Sequence, residues 1–389
     1  MTYSLSGPAP LPSRNAAGPP TIGIGSYAYL CMVAVYFSVS AASPLRDPLY
    51  LLPWLIMAEL LLRGRMTFRP FALAISLGLI GWLSVSMLQN PSEFAMRELL
   101  FVVSSILITL PRYRVPNAFP RLLVIAAAAV CVVIFLGGAS RNEFGYVSEL
   151  TRGIAESEFG LILPVASLLL YLRRDWLWLA ASILISYAMY KRIALVALVV
   201  AILVDQASLL VRKPHPIATK LLATAFVASS CLISLNSVAF FEFVAGVWSS
   251  VVGYAVDANE LTSGRYNATQ VFWREVLGGA QPMEWIMGQG IGTSTHAFAV
   301  LGNLRLHNFP MLHNDWLRIL TDLGLVGVAL TSAGLLWGTF SRKRIVALVA
   351  VYSTILLMTD NIAGYFIYWA GVVFVVRSNT AQVPTMRDR

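Results

Sequence analysis

Charge is scarce in this sequence. Only 12% of its 389 residues are Asp, Glu, Lys or Arg, and 58% are hydrophobic. A soluble domain averages about 25% charged, so an ordinary soluble fold is excluded. Cysteine is nearly as sparse. Cys31, Cys131 and Cys231 all lie in apolar runs, which argues against a disulfide framework or a cysteine metal site and leaves thiols that behave as small hydrophobes. No internal repeat and no second soluble domain can be discerned. The first apolar run is too long, and lacks a convincing small-residue cleavage site, for a removable signal peptide.

Apolar runs fill most of the remaining chain. About 20 apolar residues cross a bilayer as a helix, and lipid forces such runs to be helical. Spans are expected near 22–42, 47–63, 70–88, 94–111, 119–139, 158–172, 175–190, 192–211, 217–238, 316–338, 344–359 and 361–377. The predicted fold is therefore all-α, a polytopic membrane protein with about 12 transmembrane helices and one long outer loop that itself contains helices. Residues 1–21 read as a disordered cytoplasmic tail, 22–238 as helices one to nine, 239–315 as the loop, 316–377 as helices ten to twelve, and 378–389 as a second tail.

With the N-terminus cytoplasmic, 18 of the 28 basic residues fall on inner segments, and most acids fall outside. The net charge of +9 follows from this bias, so nucleic-acid binding has no support. Phe240 to Val256 is also apolar, with only Glu242 charged. It is taken as a helix lying at the outer interface, because a thirteenth crossing would invert the charge bias of everything after it.

Ten basic residues remain outside: Arg46, Arg97, Arg141, Arg152, Lys191, Arg192, Arg265, Arg274, Arg305 and Arg318. Lys191 and Arg192 open a hydrophobic helix after a very short turn, at the end where the macrodipole disfavours cations. Either both snorkel to headgroups or they bind an anion at the outer surface. Arg265 follows the turn-forming Thr262-Ser263-Gly264 and precedes a predicted amphipathic helix, Tyr266 to Leu277. Arg274 suits solvent or a nearby acid, and Arg318 suits Asp315 at i,i+3.

Of the four histidines, His215 lies in a basic inner loop and His296, His307 and His313 share the outer one. Their spacings match no zinc signature, so neither a metal nor a cofactor is expected. His313 is distinctive because Asn314 suits a helix cap and Asp315 a first turn. The long helix behind it directs free N–H groups outward, a setting suited to an anion and to a neutral, proton-accepting imidazole. The alternative is that His313 serves only to cap that helix. Gly324, Gly327 and Thr331 predict a face that lets another helix approach. The run Gly288 to Thr293 has phosphate-loop glycine spacing without the strand or the lysine, so a tight turn between loop helices is the better account. Glu59, Asp205 and Asp322 are interior acids that a transporter would use.

Together these features resemble the O-antigen ligase and polymerase superfamily of bacterial membrane glycosyltransferases. The resemblance rests on about twelve spans, the late outer loop, and Lys191-Arg192 opening a helix. It also rests on Ser263-Gly264-Arg265, Trp273, the glycines from Gly288 to Gly292, His313-Asn314, and the helix bearing Gly324 and Gly327. Thr359-Asp360-Asn361 fits as well, with Asp360 in place of the more usual glutamate. The match covers about 150–377. It implies transfer of a glycan, with inversion, from an undecaprenyl-diphosphate donor at the periplasmic face of the inner membrane, to a growing polymer or to lipid A–core. Arg192, Arg265 and Lys191 would bind the diphosphate and His313 would act on the acceptor hydroxyl, with Asn314, Asp315, Arg318 and Arg274 as support. The lipid bilayer and other polysaccharide-assembly proteins would be its partners.

Overall fold

The computed structural model describes residues 19–38, 44–68, 70–89, 91–136, 159–189, 191–210, 216–262, 264–304, 313–341, 343–360, 362–363 and 365–378. Ser263, Asn361, Arg14, Arg69, Arg141, Arg152, Arg305, His215 and His307 lie outside these residues, as do most of both tails. The described chain is helical, with no strand beyond two isolated bridges.

The first half forms α1 (Ile24–Ser38), a short 3-10 turn (Pro44–Leu51), α2 (Leu52–Leu62), α3 (Pro70–Gln89), α4 (Glu93–Thr109), α5 (Phe119–Leu136), α6 (Phe159–Leu172), α7 (Trp176–Ala188) and α8 (Arg192–Leu210). Then come α9 (Pro216–Leu235), α10 (Ser237–Val252), α11 (Ala258–Leu261), α12 (Arg265–Phe272), α13 (Pro282–Met287) and α14 (Thr293–Leu304). Three apolar helices finish the chain: α15 (Asp315–Thr339), α16 (Arg344–Thr359) and α17 (Phe366–Ser378). The predicted helix from Tyr266 to Leu277 is α12 continued by one π-turn, Trp273–Leu277.

α6 is the centre of the bundle. Phe159 through Tyr171 are all buried, as an element apolar on every side must be. It packs against α5, α7, α8, α16 and α17. α3 is the opposite case, equally apolar but with only Leu83 and Ser86 buried and Phe71 79% accessible.

Twelve crossings do not emerge from helix length. Among the described residues, α3 and α15 alone are long and apolar enough to span a membrane, or three spans if the α9–α10 pair counts as one. The reason is geometric. α1, α2, α6, α7, α16 and α17 run 11 to 16 residues, about 17–24 Å at 1.5 Å per residue, against a core of about 30 Å. α9 and α10 meet at 91°, so the apolar stretch after Ser237 turns sharply away instead of prolonging α9.

Polar contacts define two ends of the bundle. At one, Arg344 pairs with Asp205 at 2.5 Å, Arg121 with Asp175 at 2.7 Å, and Arg377 donates to the Pro111 carbonyl at 2.8 Å. The other end gathers the first turns of α4, α8 and α15, the last of α16, and the loop helices.

Candidate functional site

At that second end, two residues distant in sequence converge on one carboxylate and a third on its neighbour's carbonyl. Lys191 Nζ lies 3.9 Å from Asp360 Oδ2, and His313 Nδ1 lies 3.7 Å from Asp360 Oδ1. Arg265 donates from Nη1 to the carbonyl of the adjacent Thr359 at 3.2 Å. The Lys191 side chain is 15% exposed, Asp360 10% and His313 29%, so the cluster is sheltered yet open at the imidazole. Arg192, next in sequence and the first residue of α8, is exposed.

Local chemistry explains how each group is held. Lys191 immediately precedes α8, where the helix dipole opposes a cation, and Asp360 terminates α16, where it opposes an anion. Each placement alone costs about 0.3–1 kcal/mol. A charge pair about 4 Å apart at an effective dielectric of 20 attracts by about 4 kcal/mol before desolvation, so the two offset one another.

His313 is fixed from behind. Asn314 caps α15, its Oδ1 accepting from Leu317 N at 3.2 Å while its Nδ2 donates to the Ser234 carbonyl at 2.8 Å. Asp315 is fully buried and accepts the Ile362 and Ala363 amides at 2.5 and 2.7 Å. One residue after His313's cap is thereby tied to the chain two residues after Asp360. Arg318 bonds Asp315 at 3.2 Å and Glu98 of α4 at 2.8 Å, and Thr295 donates to the same Glu98. Arg274 stands apart, 75% exposed and paired with its neighbour Glu275 at 2.8 Å.

The glycine run is a turn with a structural target. Gly288, Gly290 and Gly292 all have positive φ. The run inserts where α15 breaks at Gly324 (φ 63°, ψ −164°), and Gln289 N and Gly290 N donate to the Thr321 and Asp322 carbonyls at 2.7 and 3.2 Å. Asp322 in turn accepts from Gly292 N and from both Ser294 N and its hydroxyl. The small-residue face expected on α15 is thus used differently. Gly324 admits the backbone of α13 and the turn after it, while a Cβ on Gly327 would meet Leu323 and Ile319 of its own helix.

The other interior acids are also engaged structurally. Glu59 accepts the Gly23 and Gly25 amides and pairs with Arg63, and Asp205 binds Arg344 and Tyr171.

Asp360 and Glu98 are the functional candidates that residue-by-residue reading underrates. A signal existed for Asp360, an acid placed at an unfavourable helix end between two apolar runs. Glu98 carries no such local mark. No protein-family model matches this chain, and no curated protein matches it.

Proposed function

We propose that this chain is a multi-pass glycosyltransferase of the bacterial inner membrane. It takes a glycan from an undecaprenyl-diphosphate donor at the periplasmic face and polymerises O-antigen or exopolysaccharide repeat units. The observation that carries the reading is the convergence of Lys191, His313 and Arg265 on Asp360 and its neighbour at one end of an apolar helical bundle.

The chemistry suits these groups. The acceptor hydroxyl attacks the anomeric carbon, the bond to the diphosphate oxygen breaks, and the hydroxyl proton must leave. Asp360 beside Nδ1 of His313 would hold the proton on that nitrogen and leave Nε2 to accept the hydroxyl proton, a general-base contribution typically of 10²–10⁴-fold. Charge developing on the leaving diphosphate would be met by Arg265, Arg192 and Lys191, and bidentate guanidiniums suit that task. The proton later passes from His313 to solvent.

Several features support twelve crossings with both termini cytoplasmic. Arg63, Arg121, Arg173, Arg344 and Arg377 all bond at the end opposite the cluster, matching the cytoplasmic enrichment of cations. Short helices can pair with neighbouring turns to complete a crossing, and the 91° bend between α9 and α10 supports α10 lying along the outer interface. A transporter reading loses force because Glu59, Asp205 and Asp322 are each consumed by backbone amides or arginines.

The deciding experiment is the lipopolysaccharide profile of a deletion strain, complemented with wild type, His313→Ala or Arg265→Ala. Single-repeat lipopolysaccharide, rescued only by wild type, is expected. Core lacking O-antigen, with accumulated lipid-linked polymer, would assign the ligase reaction to lipid A–core instead. A normal profile in the deletion strain and loss of exopolysaccharide would place the polymerase in that pathway.

A further inference from the structure

A buried polar chain runs from the site to α4, and its far end, Glu98, has no part in the chemistry above. Each atom along this chain has its own task. Arg318 Nη2 donates to Glu98 Oε1 at 2.8 Å, while Nη1 donates to Asp315 Oδ1 at 3.2 Å. The other oxygen of Asp315, Oδ2, accepts the Ile362 and Ala363 amides at 2.5 and 2.7 Å. Those amides follow closely on Asp360, whose Oδ1 lies 3.7 Å from His313 Nδ1. Turning the Asp315 carboxylate would therefore shift the backbone that carries Asp360.

Asp315 does not hold its orientation unaided. Its side chain is wholly buried, and Arg318 is the one cation bonded to it among the described residues. Arginine is a long side chain with many rotamers. A second carboxylate on the far prong of its fork fixes both the plane and the reach. Glu98 is that carboxylate, and the outer loop holds it in turn, since Thr295 of α14 donates to the same oxygen. The segment leading into α14 is itself closely seated. Ile291 N donates to Ser86 Oγ of α3 at 3.1 Å, and a Cβ on Gly292 would lie 2.6 Å from Ala95 N of α4.

Neutralising Arg318 does not require Glu98, because Asp315 already supplies one negative charge. Glu98, with its side chain only 13% exposed, adds a second carboxylate to a sheltered cation. Burial penalises that surplus, and costs of this kind are kept where function needs the geometry.

We propose that Glu98 is a positioning residue for glycosyl transfer. By fixing the Arg318 fork it orients Asp315, and so holds Asp360 where it keeps the proton on Nδ1 of His313. The inference rests on the transfer reaction assigned to His313, and Glu98 acts on that reaction only through these groups.

Two substitutions separate geometry from charge. Glu98→Gln keeps the shape and removes the charge, whereas Arg318→Lys keeps the charge and removes the second prong. Glu98→Asp, charged but one methylene shorter, replaces Arg318→Lys if that variant does not fold. Purified full-length protein is assayed with an undecaprenyl-diphosphate-linked repeat unit. Its isotope-labelled histidines are read by NMR at alkaline pH, where imidazole is neutral, with His313→Gln assigning the signal. Wild type is expected to show the Nδ1–H form. Both variants should lose that form and lower kcat about 10–10²-fold with KM unchanged. A lowered unfolding midpoint with a wild-type imidazole signal and kcat would make the bond purely structural and overturn the proposal. So would an effect in Glu98→Gln alone, because the charge and not the fork would then be acting. Wild type lacking the Nδ1–H form overturns it as well. Loss of the Nδ1–H form in both variants, with no transfer by wild type, would refute the transfer reaction and leave the positioning of His313 standing.

Discussion

Lys191 and Asp360 each stand at the helix end that disfavours their charge, and at 3.9 Å each removes the other's penalty. Replacing either one alone removes that mutual compensation from a sheltered site. A double-mutant cycle of Lys191→Met and Asp360→Asn is therefore expected to show coupling of about 0.5–3 kcal/mol, read from denaturant unfolding of the purified protein. Additive effects would mean that the two groups do not sense each other. Asp315 sits deeper, holding the Ile362 and Ala363 amides beside Asp360. Asp315→Ala should cost about 1–3 kcal/mol of stability through unsatisfied buried donors, measured by the same unfolding curves. It should also reduce transfer, because the imidazole and Asp360 lose their common anchor.

At the scale of elements, α15 organises the site. Its cap places His313, its first turn binds the segment after α16, and its break at Gly324 receives the glycine turn. A Cβ at Gly288 would lie 2.3 Å from the Asp322 carbonyl, and one at Gly324 2.3 Å from that of Ile286, both at positive φ. Gly288→Ala and Gly324→Ala should each lose about 2 kcal/mol or more, seen as a lowered unfolding midpoint. Gly78→Ala in α3, where a Cβ meets nothing within 4 Å, should instead be neutral or stabilising by up to about 1 kcal/mol.

The same helix shows which features were legible. Asn314 and Asp315 announce a helix start because capping is local chemistry, decided within four residues. The glycines announce a turn for the same reason. What they turn into, a break in a helix 30 residues later, is a tertiary relation with no local trace. Asp360 approaches His313 across 47 residues, and Glu98 reaches Arg318 across 220. The expected breaks before Trp176 and after Thr359 fall where the helices end, whereas the expected 47–63 span opens as the 3-10 turn Pro44–Leu51 and becomes α-helical only from Leu52, a backbone choice that hydropathy does not register.

For the whole molecule, the account requires that the Lys191–His313–Asp360 end and the Arg344–Asp205 end face opposite sides of a membrane. Single cysteines in a background lacking the native three test this in intact cells with an impermeant maleimide. Met283→Cys, exposed in the loop helices, should label from outside, and Lys343→Cys, exposed before α16, only after permeabilisation. Labelling of both from one side would refute the proposed topology.

The central claim is that these residues catalyse glycosyl transfer, and purified enzyme with an undecaprenyl-diphosphate-linked repeat unit as donor and acceptor tests it most directly. Wild type should lengthen the glycan, and His313→Ala should do so about 10²–10⁴-fold more slowly with an unchanged unfolding midpoint. Full transfer by His313→Ala, or none by a folded wild type supplied with this substrate, would contradict the account.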